Sequence, residues 1–293
     1  MRDGQIKGLP YLITLTQSIN LPFGGIKPKP PVKWAGGKGQ LISQFEPLFP
    51  KQEFTLYIEP FLGGGAVFFH ISPLEAILID NNPELINFYI VVRDNLQALL
   101  ADLEKHQNNK EYYYSMCALD PDKMDAVSRA SRFLYLNKTG YNGLWRVNKK
   151  GKHNVPFGQY KNPRIVDKEN LRQVSRVLQR AEIILGDFSK VLDFALPGSF
   201  IYFDPPYHPL SETANFTSYT SNSFGVEDQR RLAEVFKQLD ERGCLVMLSN
   251  SDTPFIRELY EGYDLKVVYA RRAINCCAEK RGPVSELVVR NYI

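Results

Sequence analysis

The stretch that most constrains this chain is a run of four large apolar residues, Phe200, Ile201, Tyr202 and Phe203, that stops at an acid, Asp204. A short apolar run with β-branched and aromatic residues and no polar alternation suits a strand covered on both faces. Such strands belong to parallel sheets with helices on either side. Asp204 then falls at the carboxyl end of its strand, where ligands bind in open α/β sheets. Pro205 and Pro206 follow; each has φ fixed near about −65° and neither has an N–H, so no local amide competes for the carbonyl oxygens of Asp204 and Pro205. Tyr207 adds a flat, amphipathic ring. A carboxylate, a free carbonyl and an aromatic plate can together grip a planar ring that bears an NH2 group. The same tetrapeptide could simply punctuate a strand-to-loop turn, and the rest of the chain has to decide.

An earlier unit carries more information. A strand expected over Phe54–Ile58 runs into Glu59-Pro60-Phe61-Leu62-Gly63-Gly64-Gly65, a helix follows from Ala66 through Phe69, and a second strand, Ala76–Ile79, ends in Asp80. This is a βαβ opening with a glycine turn and an acid about 20 residues on, the arrangement that sets a ribose hydroxyl pair against a carboxylate. The G-x-G-x-x-G fingerprint of dinucleotide enzymes is missing and no second nucleotide half follows. A single nucleoside carrying a carboxylate fits better, which points to S-adenosylmethionine with its ribose on Asp80 and its carboxylate near Lys38. A helix cap is the alternative for Asp80, since Asn81-Asn82-Pro83 follows and a helix is expected near Glu84. Upstream, Val32-Lys33-Trp34-Ala35-Gly36-Gly37-Lys38-Gly39 leads into a helix expected from about Gln40, with Leu41, Ile42, Phe45 and Leu48 as its apolar face. A glycine-rich turn before a helix suits an anion, and without P-loop spacing a carboxylate is as good a ligand as a phosphate.

From Pro83 to about Val166 the pattern is helical, with amphipathic segments over Glu84–Leu103 and Met124–Asn137. Between Ala126 and Val166 the chain carries Arg129, Arg132, Lys138, Arg146, Lys149, Lys150, Lys152, Lys161 and Arg164 and no acid. Tyr135, Tyr141, Trp145, Phe157 and Tyr160 are interleaved with them. Cations mixed with aromatic planes suit a nucleic-acid surface. Val147–His153 is expected to form a hairpin with a basic tip.

The sheet pattern then resumes. A helix over Lys168–Arg180 leads to strand Glu182–Leu185 with Gly186-Asp187-Phe188 at its end, then to the strand before Asp204. Beyond Phe216-Thr217-Ser218-Tyr219 come a helix over Val226–Glu241, a strand over Cys244–Leu248 ending in Ser249-Asn250, and strands over Leu265–Ala270 and Ser285–Tyr292. Strands alternating with helices predict an α/β fold with a doubly wound, mostly parallel sheet. Its expected divisions are an N-terminal extension at 1–31, a catalytic domain from 32–82 and 168–293, and an inserted domain at 83–167, mainly helical with a β-hairpin.

At 293 residues, 44% hydrophobic and 23% charged, the chain has room for one large domain with an insertion. No run approaches the roughly 18 apolar residues of a membrane span, and the N-terminus has no signal-peptide design. Cys117, Cys244, Cys276 and Cys277 lack metal or disulfide spacing, which fits a reducing cytoplasm with the adjacent pair as free thiols. The four histidines show no ligand spacing either, so no metal is expected, and His208 reads as a loop residue.

Taken in order, Lys33-Trp34-Ala35-Gly36-Gly37-Lys38, Glu59 to Gly65, Tyr141-Asn142-Gly143-Leu144-Trp145-Arg146, Asn154-Val155-Pro156-Phe157-Gly158-Gln159-Tyr160 and Asp204-Pro205-Pro206-Tyr207 resemble the Dam family of DNA N6-adenine methyltransferases. The likeness is greatest to the DpnII/MboI-type members that accompany restriction systems, and it runs from about residue 31 to the C-terminus. It implies a Rossmann-like S-adenosylmethionine-dependent fold, double-stranded DNA as partner, GATC as target, base flipping, and an inserted target-recognition domain. It also implies a bacterial or phage-encoded protective methylase, with a cognate restriction endonuclease that forms no stable complex with it. On the family pattern, Trp34, Lys38, Asp80 and Asp204 touch S-adenosylmethionine, with Phe61, Gly63 and Phe188 lining its pocket. The flipped adenine falls to Asp204, Pro205 and Tyr207. DNA binding falls to Lys33, Lys138 and Asn142 and to the hairpin, with Tyr141 as the stacking or wedging residue, and Leu144, Arg146 and Pro156 near base edges. Two other readings compete: transfer to cytosine N4, RNA or a protein amide, because related motifs serve any planar NH2 group, and a non-catalytic DNA-binding module. The acid at Asp204 and the basic insertion disfavour the former, and the Lys38, Asp80 and Asp204 set disfavours the latter.

Overall fold

The computed structural model describes residues 27–148, 151–210, 224–270 and 283–293. The first 26 residues of the extension, Lys149 and Lys150 of the basic turn, Phe216 to Tyr219, and Cys276 with Cys277 lie outside them. Seven strands form one sheet: β1 (Tyr57–Glu59), β2 (Ala76–Asp80), β3 (Ala181–Leu185), β4 (Phe200–Phe203), β5 (Leu245–Ser251), β6 (Asp264–Ala270) and β7 (Val284–Arg290). Their order is β3-β2-β1-β4-β5-β7-β6. β1 to β5 pair in parallel, and β7 is antiparallel to both β5 and β6. The expected α/β fold with a mostly parallel, doubly wound sheet is therefore present.

β4 shows why its sequence carries no polar residue. Phe200 and Tyr202 enter one apolar core while Ile201 and Phe203 enter the other, and all four are buried. Each such side chain contributes roughly 1.5–3 kcal/mol of burial free energy. The first core is closed by α1 (Ile42–Phe45), α2 (Ala66–Ile71), α3 (Pro83–Asp94), α4 (Leu96–Leu103) and, past α5 (Lys110–Ala118), by α6 (Ala126–Thr139) and α7 (Lys168–Leu178). The second is closed by α8 (Val191–Phe194), α9 (Val226–Glu241) and α10 (Pro254–Leu259). α3 packs against α6 on one side and against α7 and β3 on another, so the helices after residue 83 share a core with the sheet.

Several elements differ from their expected bounds for identifiable reasons. The 84–103 segment is two helices, broken at Asn95 (φ −133°), which lets α4 turn Leu99, Leu100 and Leu103 into the core. The helix expected after Gln40 is cut short to α1, with a 3-10 turn before it and, at Pro47, a second one after it. β1 begins at Tyr57; Phe54, read as strand, instead packs its ring 5.4 Å from that of Phe200. β5 runs on to Ser251, so Ser249 and Asn250 are strand residues paired with β7. Val147 pairs with His153 in an antiparallel bridge, and the Asn148 N–H donates to the Lys152 carbonyl and the Asn154 N–H to the Arg146 carbonyl, so the expected hairpin is present as a short antiparallel pairing. His153 points inward, buried between the rings of Tyr113 and Trp145, and this draws the turn against the body of the protein. Among the described residues, no helix is long and apolar enough to cross a membrane.

Candidate active site

The sheet order reverses between β1 and β4, and the carboxyl ends of the strands on both sides of that point open onto one cleft of about 1150 Å³. Glu59 ends β1, Asp80 ends β2 and Asp204 follows β4, so three acids meet at one edge. Among the described residues the buried cation at this edge is Lys38, whose Nζ lies 2.6 Å from Asp204 Oδ1. The same ammonium donates to the Gly36 carbonyl at 2.6 Å and sits 4.6 Å from the centroid of the Tyr207 ring. The lysine that the sequence offers to an external anion is thus already held by Asp204. Ser249 donates to Asp204 Oδ1 at 3.1 Å and shares a 2.9 Å hydrogen bond with the Tyr202 hydroxyl. Burial pushes the Asp204 carboxyl above the usual carboxylate range, while Lys38 and Ser249 pull it back.

The loop after β4 is fixed from below. Gln229 donates to the Pro206 carbonyl at 2.9 Å and to no other carbonyl of the loop, and among the described residues nothing donates to that of Pro205. The Tyr207 hydroxyl donates to Glu286 Oε2 at 2.7 Å. His208 serves the loop, its N–H donating to Asn250 Oδ1 and its carbonyl accepting from Ser251.

At the glycine turn, Asp80 accepts from the Gly63 N–H and the Asn82 N–H, each at 2.9 Å. The cap of α3 is Asn82, whose Oδ1 accepts from Glu84 and Leu85, so capping does not explain Asp80. Burial raises the Asp80 carboxyl above its ordinary range. Gly63 has φ +46°, and a Cβ there would lie 2.7 Å from the Trp34 ring; the glycine is what lets Trp34 close over the turn. Phe61 and Phe188 stack at 5.3 Å, and Phe224 meets both edge-on or tilted, at 5.6 and 5.8 Å. Arg231 lies 4.2 Å above Phe188 and pairs with Asp187.

Sequence reasoning missed Glu59, Phe224, Arg231 and Glu286. Glu59 is buried, accepts from the Tyr57 hydroxyl at 2.6 Å and the Phe68 N–H at 3.1 Å, and burial pushes its carboxyl up to about 8. A signal for it was available, because it is an acid at a strand end like Asp204. Glu286 had none, since its place depends on the reversal of β7. The cleft fits S-adenosylmethionine chemically: an aromatic wall at Phe61, Phe188 and Phe224 for a purine, Asp80 for hydroxyls, and a mixed-charge end at Lys38, Glu59 and Asp204 for an amino-acid tail.

The residues expected to read DNA form a separate surface. Buried Asn137 joins its parts: its side chain accepts from the Lys33 N–H at 2.8 Å and donates to the carbonyls of Lys33 (2.7 Å) and Gly143 (3.1 Å). Gly143 has φ +63°, and any Cβ there would strike the Lys33 side chain. Lys33 lies 4.5 Å from the Tyr160 ring centroid, and the Tyr160 hydroxyl accepts from the Asn142 N–H. Tyr141 and Leu144 are exposed, and the Tyr141 N–H donates to the Pro156 carbonyl. Arg146 is held through Nε to Asn154 Oδ1 (2.8 Å) and through Nη2 to the Asn154 carbonyl (3.1 Å). Lys138 is half-buried, and burial with nearby Lys33 pushes its ammonium down to about 8. Several cations of this acid-free segment already have partners within the protein. Arg129 pairs with Glu84, Arg164 pairs with Asp167, and Arg132 is buried, donating to the Met116 carbonyl.

A Rossmann-like sheet with this cleft at its switch point places the protein in the nucleoside-binding α/β class. The model of the D12 class N6 adenine-specific DNA methyltransferases matches residues 34–274, and the chain belongs to that family. It is 46% identical over 272 residues to the Type II methyltransferase M1.LlaDCHI of Lactococcus lactis subsp. cremoris, covering 90% of this chain and 95% of the relative. It is 44% identical over 286 residues to the Type II methyltransferase M.MjaIII of Methanocaldococcus jannaschii, covering 90% and 99%. With the DNA adenine methylase of Escherichia coli K12 it shares 40% over 261 residues, covering 88% and 93%. The protein is an adenine-specific DNA methyltransferase, for which the family implies S-adenosylmethionine as donor and double-stranded DNA as substrate.

Proposed function

We propose that the protein methylates adenine N6 within GATC in double-stranded DNA, after turning the target base out of the helix, and that it protects DNA from a separately acting restriction endonuclease. The observation that carries the chemistry is the ion pair of Lys38 with Asp204 beside the open Pro205 carbonyl and the Tyr207 ring. The target sequence and the protective role rest on the resemblance of residues 141–146 and 154–160 to GATC methylases, and on relatives named Type II methyltransferases. Residues 83–167 act as the target-recognition domain and 32–82 with 168–293 as the catalytic domain.

Adenine N6 is a poor nucleophile because its lone pair is delocalised into the ring. The Asp204 carboxylate and the Pro205 carbonyl accept hydrogen bonds from the two N6–H groups, which favours a tetrahedral nitrogen with its lone pair localised. Once the methyl has passed from sulfur to nitrogen, the one proton that N6 gives up leaves through Asp204 to solvent. The bound donor supplies an electrophilic methyl group on a sulfonium. Lys38 keeps Asp204 in its accepting, ionised form against the pressure of burial. Extruding the base costs a few kcal/mol, and stacking on Tyr207 returns about 1–3 kcal/mol. Trp34, Asp80, Gly63, Phe61 and Phe188 hold the donor. Lys33, Lys138, Tyr141, Asn142, Leu144, Arg146 and Pro156 face the duplex. Positioning and preorganised acceptors do the chemical work, with no strong base needed.

Sequencing the modified bases in DNA incubated with the protein and donor tests this reading. N6-methyladenine confined to GATC is expected; methylation at another sequence overturns the assigned target.

A further inference from the structure

We propose that Glu286 is the positioning residue for Tyr207, fixing the aromatic plate of the site by accepting its phenol hydrogen bond. The argument starts from topology. In a wholly parallel sheet every strand would begin at the edge remote from the cleft. β7 runs the other way, so its first residues arrive at the catalytic edge, with Glu286 paired to Ser251 of β5 and Val268 of β6. Its carboxylate lines the cleft and takes the Tyr207 hydroxyl at 2.7 Å.

Tyr207 needs such an anchor. Two prolines stiffen the backbone before it but leave its own side-chain torsions free. Lys38 lies over one face of the ring, so a stacked base can use only the opposite face. Lys38 is itself committed to Asp204 and to the Gly36 carbonyl and cannot follow a ring that swings. Glu286 therefore sets the plane of the ring, and the ring sets the space in which Lys38 holds Asp204.

This inference rests on Tyr207 being the plate under the target base. The test is single-turnover transfer of a labelled methyl group to a GATC duplex, with donor affinity measured separately by calorimetric titration. Glu286→Ala is expected to slow transfer by about 10- to 100-fold, the loss of one hydrogen bond to a charged group, with donor affinity within about twofold of wild type. Glu286→Gln, which keeps an acceptor oxygen, recovers most of the rate. In a Tyr207→Phe background, Glu286→Ala lowers the rate by no more than about twofold further, because the hydroxyl through which it acts is gone. A loss in the Phe background as large as in wild type overturns the proposal. So does a wild-type rate for Glu286→Ala when Tyr207→Ala is impaired. A wild-type rate for Tyr207→Ala overturns the reading of Tyr207 itself. If the alanine variant does not fold, Glu286→Leu, which keeps the bulk of the side chain and removes the acceptor, runs the same cycle with the same expected losses.

Discussion

The cleft and the DNA-facing segment use charge in opposite ways. In the cleft, buried Glu59 and half-buried Asp80 and Asp204 share one edge with the buried Lys38, and each is tied to an N–H, a hydroxyl or an ammonium. In the segment from Tyr141 to Asn154, Tyr141, Arg146 and Lys152 stand at the surface, while Trp145 packs inward and the buried groups beneath them, Asn137 and His153, are scaffolding. The contrast follows from the task. Chemistry on a weak nucleophile needs acceptors that do not reorganise, whereas a polyanion is met by groups that stay hydrated until it arrives.

The largest break in this contrast is expected from Asp204→Ala. Transfer to a GATC duplex falls by at least about 10³-fold, while a gel-shift titration still shows most of the DNA affinity. The variant also leaves Lys38 buried and unpaired, which costs about 3–5 kcal/mol of stability. Full activity with labelled donor would end the account of the cleft. Next in size is Arg146→Ala, which touches only the other region. A guanidinium gripping guanine discriminates by about 1–3 kcal/mol, so methylation of single-base variants of the site should rise relative to GATC. Unchanged ratios across those variants would remove Arg146 from base reading.

The smallest effects, at most about 1.4 kcal/mol per pH unit for each group, sharpen the contrast by their sign. Glu59 is pushed up to about 8 in the folded cleft from an ordinary value of 4.5. Between those values the folded state holds the extra proton, so stability falls as pH rises through that window. Burial raises Asp80 and Asp204 in the same direction. His153 is pushed down to about 4 from 6.5 by burial and the nearby Arg132. There the unfolded state binds more protons, so the recognition turn gains stability as pH rises from about 4 to 6.5. Hydrogen exchange resolved by segment should show the two trends running oppositely. Parallel trends would mean that Glu59 or His153 is solvated.

Much of the fold was legible because periodicity records burial. The strand Phe200–Phe203, the helix Val226–Glu241 and the strand-end acids Asp80 and Asp204 were visible, since a two-sided core leaves no polar position in a strand and a surface helix repeats every 3.6 residues. The basic segment was only partly legible. Counting cations within 126–166 could not reveal that Glu84 and Asp167 come from outside the window to neutralise Arg129 and Arg164.

The sequence by itself determined the α/β class, the residues of the Asp204 to Tyr207 loop, and the presence of an acid at Asp80. Each depends on neighbours within one or two turns of chain. Only the tertiary structure decided that Lys38 pairs with Asp204, that Glu59 is buried beside them, that Asn137 ties Lys33 to Gly143, and that Glu286 meets Tyr207. Those partners are far apart in the chain and come together through the order and direction of the strands. Electrostatic energy depends on that distance and burial, which no local pattern of residues encodes.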